Sequence, residues 1–239
     1  STIIPESVTK IGNDAFNLCR SLESITIPES VTYIGSEAFW GCTSLKSIVI
    51  PEGVKYIYQR VFKDCSSLKS VTLPSSLITI GDKAFEGTPI EELTIPEGTE
   101  FIMKCAFYKC TALRSIVIPD SVKTIEQSAF GLCTSLERVT LPNGLTEINW
   151  NLFAGCSSLD NVVLPASVKV IDDGAFAECT SLKNITLSAS LTKIKNNVFK
   201  GCTALTSISF PKKLKECGLD AFRDCTALES VDFCNVANI

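Results

Sequence analysis

Twelve cysteines carry most of the reactive chemistry in this 239-residue chain, and no histidine stands beside them. Nine of the twelve recur in one column: Cys19, Cys42, Cys65, Cys110, Cys133, Cys156, Cys179, Cys202 and Cys225. Thiols at a fixed interval can pair as disulfides, hold zinc, or fill a core. A disulfide needs Cβ vectors that face each other, and like positions on stacked repeats present theirs in parallel. A structural zinc site needs four ligands, and the spacing of Cys105 and Cys234 matches no zinc pattern. The column is therefore expected to hold buried thiols acting as small apolar fillers. Cys217 replaces a recurrent Ile and reads as core, whereas Cys105 and Cys234 read as partly exposed.

The absence of histidine removes the commonest general base, the Cys–His and Ser–His nucleophile pairs, and the usual metal ligand. Carboxylate pairs remain, in Asp172-Asp173 and Glu91-Glu92. Being adjacent in sequence, they read as solvated turn or edge charges, because a matched acid and base must converge in a cleft. Gly12, Gly35, Gly81 and Gly218 each follow a recurrent Ile or its substitute and mark a turn, not a phosphate loop. The chain is expected to be no enzyme and to use no metal or cofactor.

Aromatic residues offer the more distinctive chemistry. The position before the recurrent Ile holds Tyr33, Tyr56 and Phe101, and Tyr58 and Met103 lie two residues further along, in the slot usually given to Gly. Trp40 and Tyr108 each follow a phenylalanine of a second recurrent column. Tyr33, Tyr56, Tyr58, Phe101 and Met103 are expected on one flank, with Trp40 and Tyr108 near the opposite turn. Large amphipathic rings at solvent-facing positions serve protein interfaces and sugar-stacking platforms.

What must position them is a repeat. Phe16, Phe39, Phe62, Phe85, Phe107, Phe130, Phe153, Phe176, Phe199 and Phe222 return at intervals of 23 residues, with one interval of 22. Ten stacked coils follow. Within Leu45-x-x-Ile48-x-Ile50, the alternation and β-branching predict a short strand with Ile48 and Ile50 inward and Ser47 and Val49 outward. Pro51 has no N–H for a ladder and closes it. Ala38-Phe39, between Gly35 and Gly41, predicts about two turns of 3₁₀ or α-helix. Stacking in register predicts a parallel sheet and a body about 50 Å long.

These units resemble the BspA-like (bacterial surface antigen A type) leucine-rich repeats, which read roughly Pro-x-Ser-Val-x-x-Ile-Gly-x-x-Ala-Phe-x-x-Cys-x-x-Leu-x-x-Ile-x-Ile. Residues 28–50 and 119–141 match this nearly letter for letter, and the likeness runs over essentially the whole chain. The resemblance implies an α/β repeat solenoid, right-handed and curved. Its parallel β-sheet would lie on the concave side, with short helical or 3₁₀ turns opposite. It also implies a bacterial cell-surface protein, of a kind some members of which act as adhesins for host or bacterial proteins.

No linker interrupts the repeat, so residues 1–239 read as a single domain. Both ends fall inside a coil, which is expected of a piece of a longer protein and leaves end-to-end self-association through uncapped coils open. A net charge of −4 leaves no basic footprint for nucleic acid, and no apolar run is long enough to span a bilayer. Gly87-Thr88-Pro89-Ile90 lacks one residue and the column Cys, which is expected to tilt the stack locally without ending it. Later coils become basic, through Lys193, Lys195, Lys200, Lys213 and Lys215. The expected function is a non-enzymatic, extracellular protein-binding or adhesion scaffold, engaging a partner through the aromatic flank or the sheet. A structural spacer within a larger surface protein and a carbohydrate-binding module are the alternatives.

Overall fold

A computed structural model of the chain describes residues 2–232. The column phenylalanines form its axis. Their rings stack face to face, with centroids 5.2 to 5.8 Å apart and planes within 19° of parallel. The eight rings from Phe39 to Phe199 are fully buried, whereas Phe16 and Phe222 at the ends are only partly covered. Val31, Ile34, Leu45, Ile48 and Ile50 of one coil close around the rings, as do their counterparts on the others.

Each coil except the shortened one runs through two short strands. Strand Ser47–Val49 pairs in parallel with Ser70–Thr72, Ser47 against Ser70 and Ile48 against Val71. Its inward and outward sides are as the alternation predicts: Ile48 is buried, and Val49 is 60% exposed. A second strand of two residues, absent from the sequence reading, precedes each turn segment, as in Tyr33–Ile34 and Tyr56–Ile57. This series also pairs in parallel, Thr79 against Tyr56 on one side and Phe101 on the other.

The expected helical turns are not found. Among the described residues there is no helix, and the α/β label becomes an all-β solenoid whose far side is a run of tight turns. Two residues of each turn segment take the left-handed conformation, for example Glu37 with φ of 59° and Gly41 with φ of 68°. That geometry breaks a helical ladder after one bond. The N–H groups of Glu37, Phe39 and Gly41 instead donate to Gln59, Val61 and Lys63 O of the next coil. Only the intervening Ala38 and Trp40 N–H groups bond within their own turn. The backbone is thus satisfied by stacking instead of coiling.

The column thiols do more than fill space. Each Sγ from Cys42 to Cys225 donates to the carbonyl of the column Phe one coil earlier, at 3.0 to 3.2 Å. The shortened coil uses Thr88, whose hydroxyl donates to Phe85 O at 2.7 Å. Burial pushes the thiols of Cys133, Cys156 and Cys179 well above their ordinary range. Only thiolate reacts with iodoacetamide. At pH 8 without denaturant, mass spectrometry of peptides is therefore expected to show these three unmodified while the exposed Cys19 is alkylated. In concentrated urea all four should react. Native labelling of Cys156 at the rate of Cys19 would contradict the burial.

Cys217 is partly buried against the core, as its Ile position implies, and Cys105 is half-buried. Cys234 lies outside the described residues. At the one-residue deletion the outer strand shrinks to a single bridge between Ser70 and Glu92. The stack continues regardless, with Phe85 and Phe107 at 5.4 Å.

Candidate functional site

The tyrosines converge. Tyr33 and Tyr56 begin neighbouring two-residue strands, so their side chains leave the sheet on the same side, each next to a buried Ile. Tyr58 enters from the slot after Ile57. Its counterparts on the adjoining coils are Gly35 and Gly81, which bear no side chain. At Gly81 a Cβ would lie 2.5 Å from Ile57 O, so only glycine fits that approach. The Tyr58 ring, free of neighbours in its own column, tilts against Tyr33 at 5.3 Å and Tyr56 at 5.9 Å. Tyr33 Oη donates to Asn13 Oδ1 at 3.4 Å. Tyr56 and Tyr58 remain 42% and 37% exposed, a continuous aromatic surface with hydroxyls at its rim.

The other expected members stand apart. Phe101 is half-buried two coils on, separated from Tyr56 by Thr79. Met103 is likewise half-buried and separated from Tyr58 by Gly81. Trp40 lies on the turn face and donates Nε1–H to Asp64 Oδ2 at 3.1 Å. Tyr108 is on the same face, three coils further, with the Lys109 ammonium 5.6 Å from its ring centroid.

Trp150 was missed. It is 46% exposed, in the column two residues after the recurrent Ile, where polar residues such as Ser36, Gln59, Asp82 and Asp173 otherwise predominate. With Tyr108, Leu132, Ala154 and Ala177 it borders a turn-face groove of about 440 Å³. The signal was legible: after Tyr108 the same column runs Gly131, Ala154, Ala177, small residues where other coils carry Trp40, Lys63, Glu86 and Arg223.

Neither carboxylate pair makes an acid and base. Burial raises the cost of ionising Asp172, but hydrogen bonds from Lys195 and the Asp173 N–H outweigh it and hold the carboxyl below its usual range. A hydrogen bond from Lys69 does the same for Glu91, and one from Lys46 for Glu23. Glu23 and Lys46, and Lys69 and Glu91, are pairs within one column of charges beside the outer strands, at 2.8 and 2.9 Å. Exposed pairs of this kind add little stability. Among the described residues no group of His, Cys, Asp or Glu could hold a metal ion, and no helix is long and apolar enough to cross a membrane.

Comparison with known proteins gives a consistent answer. A family model described as the BspA type leucine-rich repeat region matches residues 1–114 and 100–229, in six copies. The chain is similar to a leucine-rich repeat protein from Bacteroides ovatus, at 34% identity and a TM-score of 0.72 over 96% of this chain. It spans 62% of that protein's length. It also resembles the T. pallidum leucine-rich repeat protein, at 31% identity and a TM-score of 0.58, covering 77% of this chain and 78% of that one. The pneumococcal vaccine antigen PcpA shares the fold, with a TM-score of 0.62 at 21% identity over 99% of this chain and 68% of that one. No curated protein matches, and the matches point to no catalytic family.

Proposed function

We propose that this chain, which belongs to the BspA-type leucine-rich repeat family, is a non-enzymatic protein-binding scaffold displayed outside the cell. Residues 1–239 act as one repeat domain, whose rigid stack presents side chains without taking part in any reaction. The observation that carries this reading is the convergence of Tyr33, Tyr56 and Tyr58 on one exposed surface. Phe101 and Met103 share its strand series but stand apart from it beyond Thr79 and Gly81, and Trp40 and Tyr108 lie on the turn face. Tyrosines give large contact area at small entropic cost and keep a polar rim, the composition of binding hot spots. Membership of a family typed on a bacterial surface antigen supports display outside the cell and adhesion as the use of such a contact.

The test is binding of the whole chain to a panel of immobilised extracellular-matrix and bacterial surface proteins, with a glycan array alongside. A Tyr33→Ala, Tyr56→Ala, Tyr58→Ala triple variant is expected to lose protein capture at least tenfold while its urea midpoint falls only slightly. Hits confined to glycans would move the reading to a carbohydrate-binding module. Failure of the unaltered chain to bind anything, or an undiminished triple variant, would leave a spacer.

A further inference from the structure

The turn face carries a second feature, unrelated to the tyrosines. On the early coils, turn-face charges pair with the next coil: Glu37 with Arg60 and Lys63 with Glu86, each at 2.8 Å. Between the coils of Phe107 and Phe176, no such pair is formed among the described residues. Lys104, Lys109, Asp173 and Glu178 make no ion pair among the described residues. Both lysines stand on the fifth coil and both acids on the eighth, at opposite ends of the groove beside Trp150.

The columns decide what would satisfy them. Lys104 and Asp173 occupy the same column, three coils apart, and Lys109 and Glu178 share another. Consider a second copy turned over about a two-fold axis that lies across the stack between the sixth and seventh coils. This sets the fifth coil of one copy against the eighth of the other and keeps every column facing itself. Lys104 then meets Asp173 and Lys109 meets Glu178, and each pair occurs twice. The apolar residues agree with the same operation. Tyr108 meets Ala177, and Leu132 meets Gly155, so bulk faces a gap in both cases. We propose that this face is a homodimer interface joining two antiparallel copies of the chain.

Charge and shape are thus complementary under the two-fold symmetry that closed dimers use. Lys109 meets only the Tyr108 ring and Asp173 accepts only the Asn196 N–H at 2.8 Å, so a second copy supplies each of the four charges with the ion-pair partner it lacks, and the patch is its own complement. The face spans only four coils, whose column rings lie 5.2 to 5.8 Å apart. It therefore belongs with interfaces burying less than about 1,200 Å², for which a dissociation constant in the micromolar range is expected. Ionic contacts at a shallow face should weaken with salt.

Sedimentation equilibrium on the 239-residue chain, from about 5 to about 500 μM and at low and about 0.5 M salt, tests this. A reversible dimer weakened by salt is expected. Lys109→Glu and Glu178→Lys should each weaken it at least tenfold, because one reversal places two like-charged contacts in the dimer. Both residue types already occupy this left-handed position in the chain, as Lys109 and Glu178 with φ of 60°, so neither change should disturb folding. The two reversals combined in one chain should restore the dimer, and mixing the two single variants should yield a heterodimer. Ala177→Trp fills the seat of Tyr108 and should abolish association at unchanged charge. A monomer throughout the range would overturn the proposal. So would a dimer indifferent to Lys109→Glu and Ala177→Trp, or a folded double reversal that stays monomeric.

Discussion

Raising the pH from 8 to about 10.5, in reducing and oxygen-free buffer, is expected to unfold this protein. The cause lies in seven thiols buried along the column: Cys42, Cys65, Cys110, Cys133, Cys156, Cys179 and Cys202. Desolvation penalises their thiolates and raises every one, with Cys42 pushed up to about 11 and Cys110 to about 12. An unfolded thiol releases its proton near pH 8.5. Above that pH the folded chain holds protons that the unfolded chain has lost, so stability falls as pH rises, until the folded values are reached. Below pH 8.5 both states are protonated and the contribution is fully present. Each thiol removes about 1.4 kcal/mol per pH unit, and seven together remove about 10 kcal/mol per unit, against a typical total stability of about 5–15 kcal/mol.

Urea midpoints followed by tryptophan fluorescence across this pH range measure the effect. A variant with Cys133, Cys156 and Cys179 each replaced by Thr, the residue the chain itself uses at position 88, should show roughly half the alkaline slope. A midpoint that stays level to pH 10 would show that the column is wet or the thiols accessible.

The second large effect is mechanical to the stack. Phe130→Ala is expected to cost about 3–5 kcal/mol at pH 7, because it removes a fully buried ring and leaves a cavity between two others. Those others are Phe107, 5.2 Å away, and Phe153, 5.8 Å away. The cavity cannot collapse easily, since the neighbouring coils are tied through the N–H of Phe107 to Ala129 O and the N–H of Phe130 to Leu152 O. Phe222→Ala, at a partly covered end with one stacked neighbour, should cost clearly less. Equal losses for the two variants by urea denaturation would mean that the rings do not form one continuous core.

The tyrosine surface was partly visible in the sequence because two of its members share a column, and sharing a column in a repeat means adjacency. Tyr58 sits in a different column, and its contact with Tyr33 depends on a tilt permitted by Gly35 and Gly81. The groove beside Trp150 comes from three small residues in successive coils, which no single coil reveals. The four charges at its ends that lack an ion pair stand out only once the ion pairs of the other coils are known.

The repeating pattern of Phe, Pro and Cys settled the stacking, the number of coils and the facing of Ile48 and Val49, since identical residues at one interval can bury identical faces only by lying over one another. It did not settle the turns. Ala38-Phe39 between glycines has the local character of a short helix, yet the N–H of Phe39 finds its acceptor 22 residues away, on Val61. Nor did it reveal the thiols as donors, because the acceptor for Cys42 is Phe16 O, 26 positions back. Both outcomes rest on hydrogen bonds between coils, and such bonds exist only after the stack has formed.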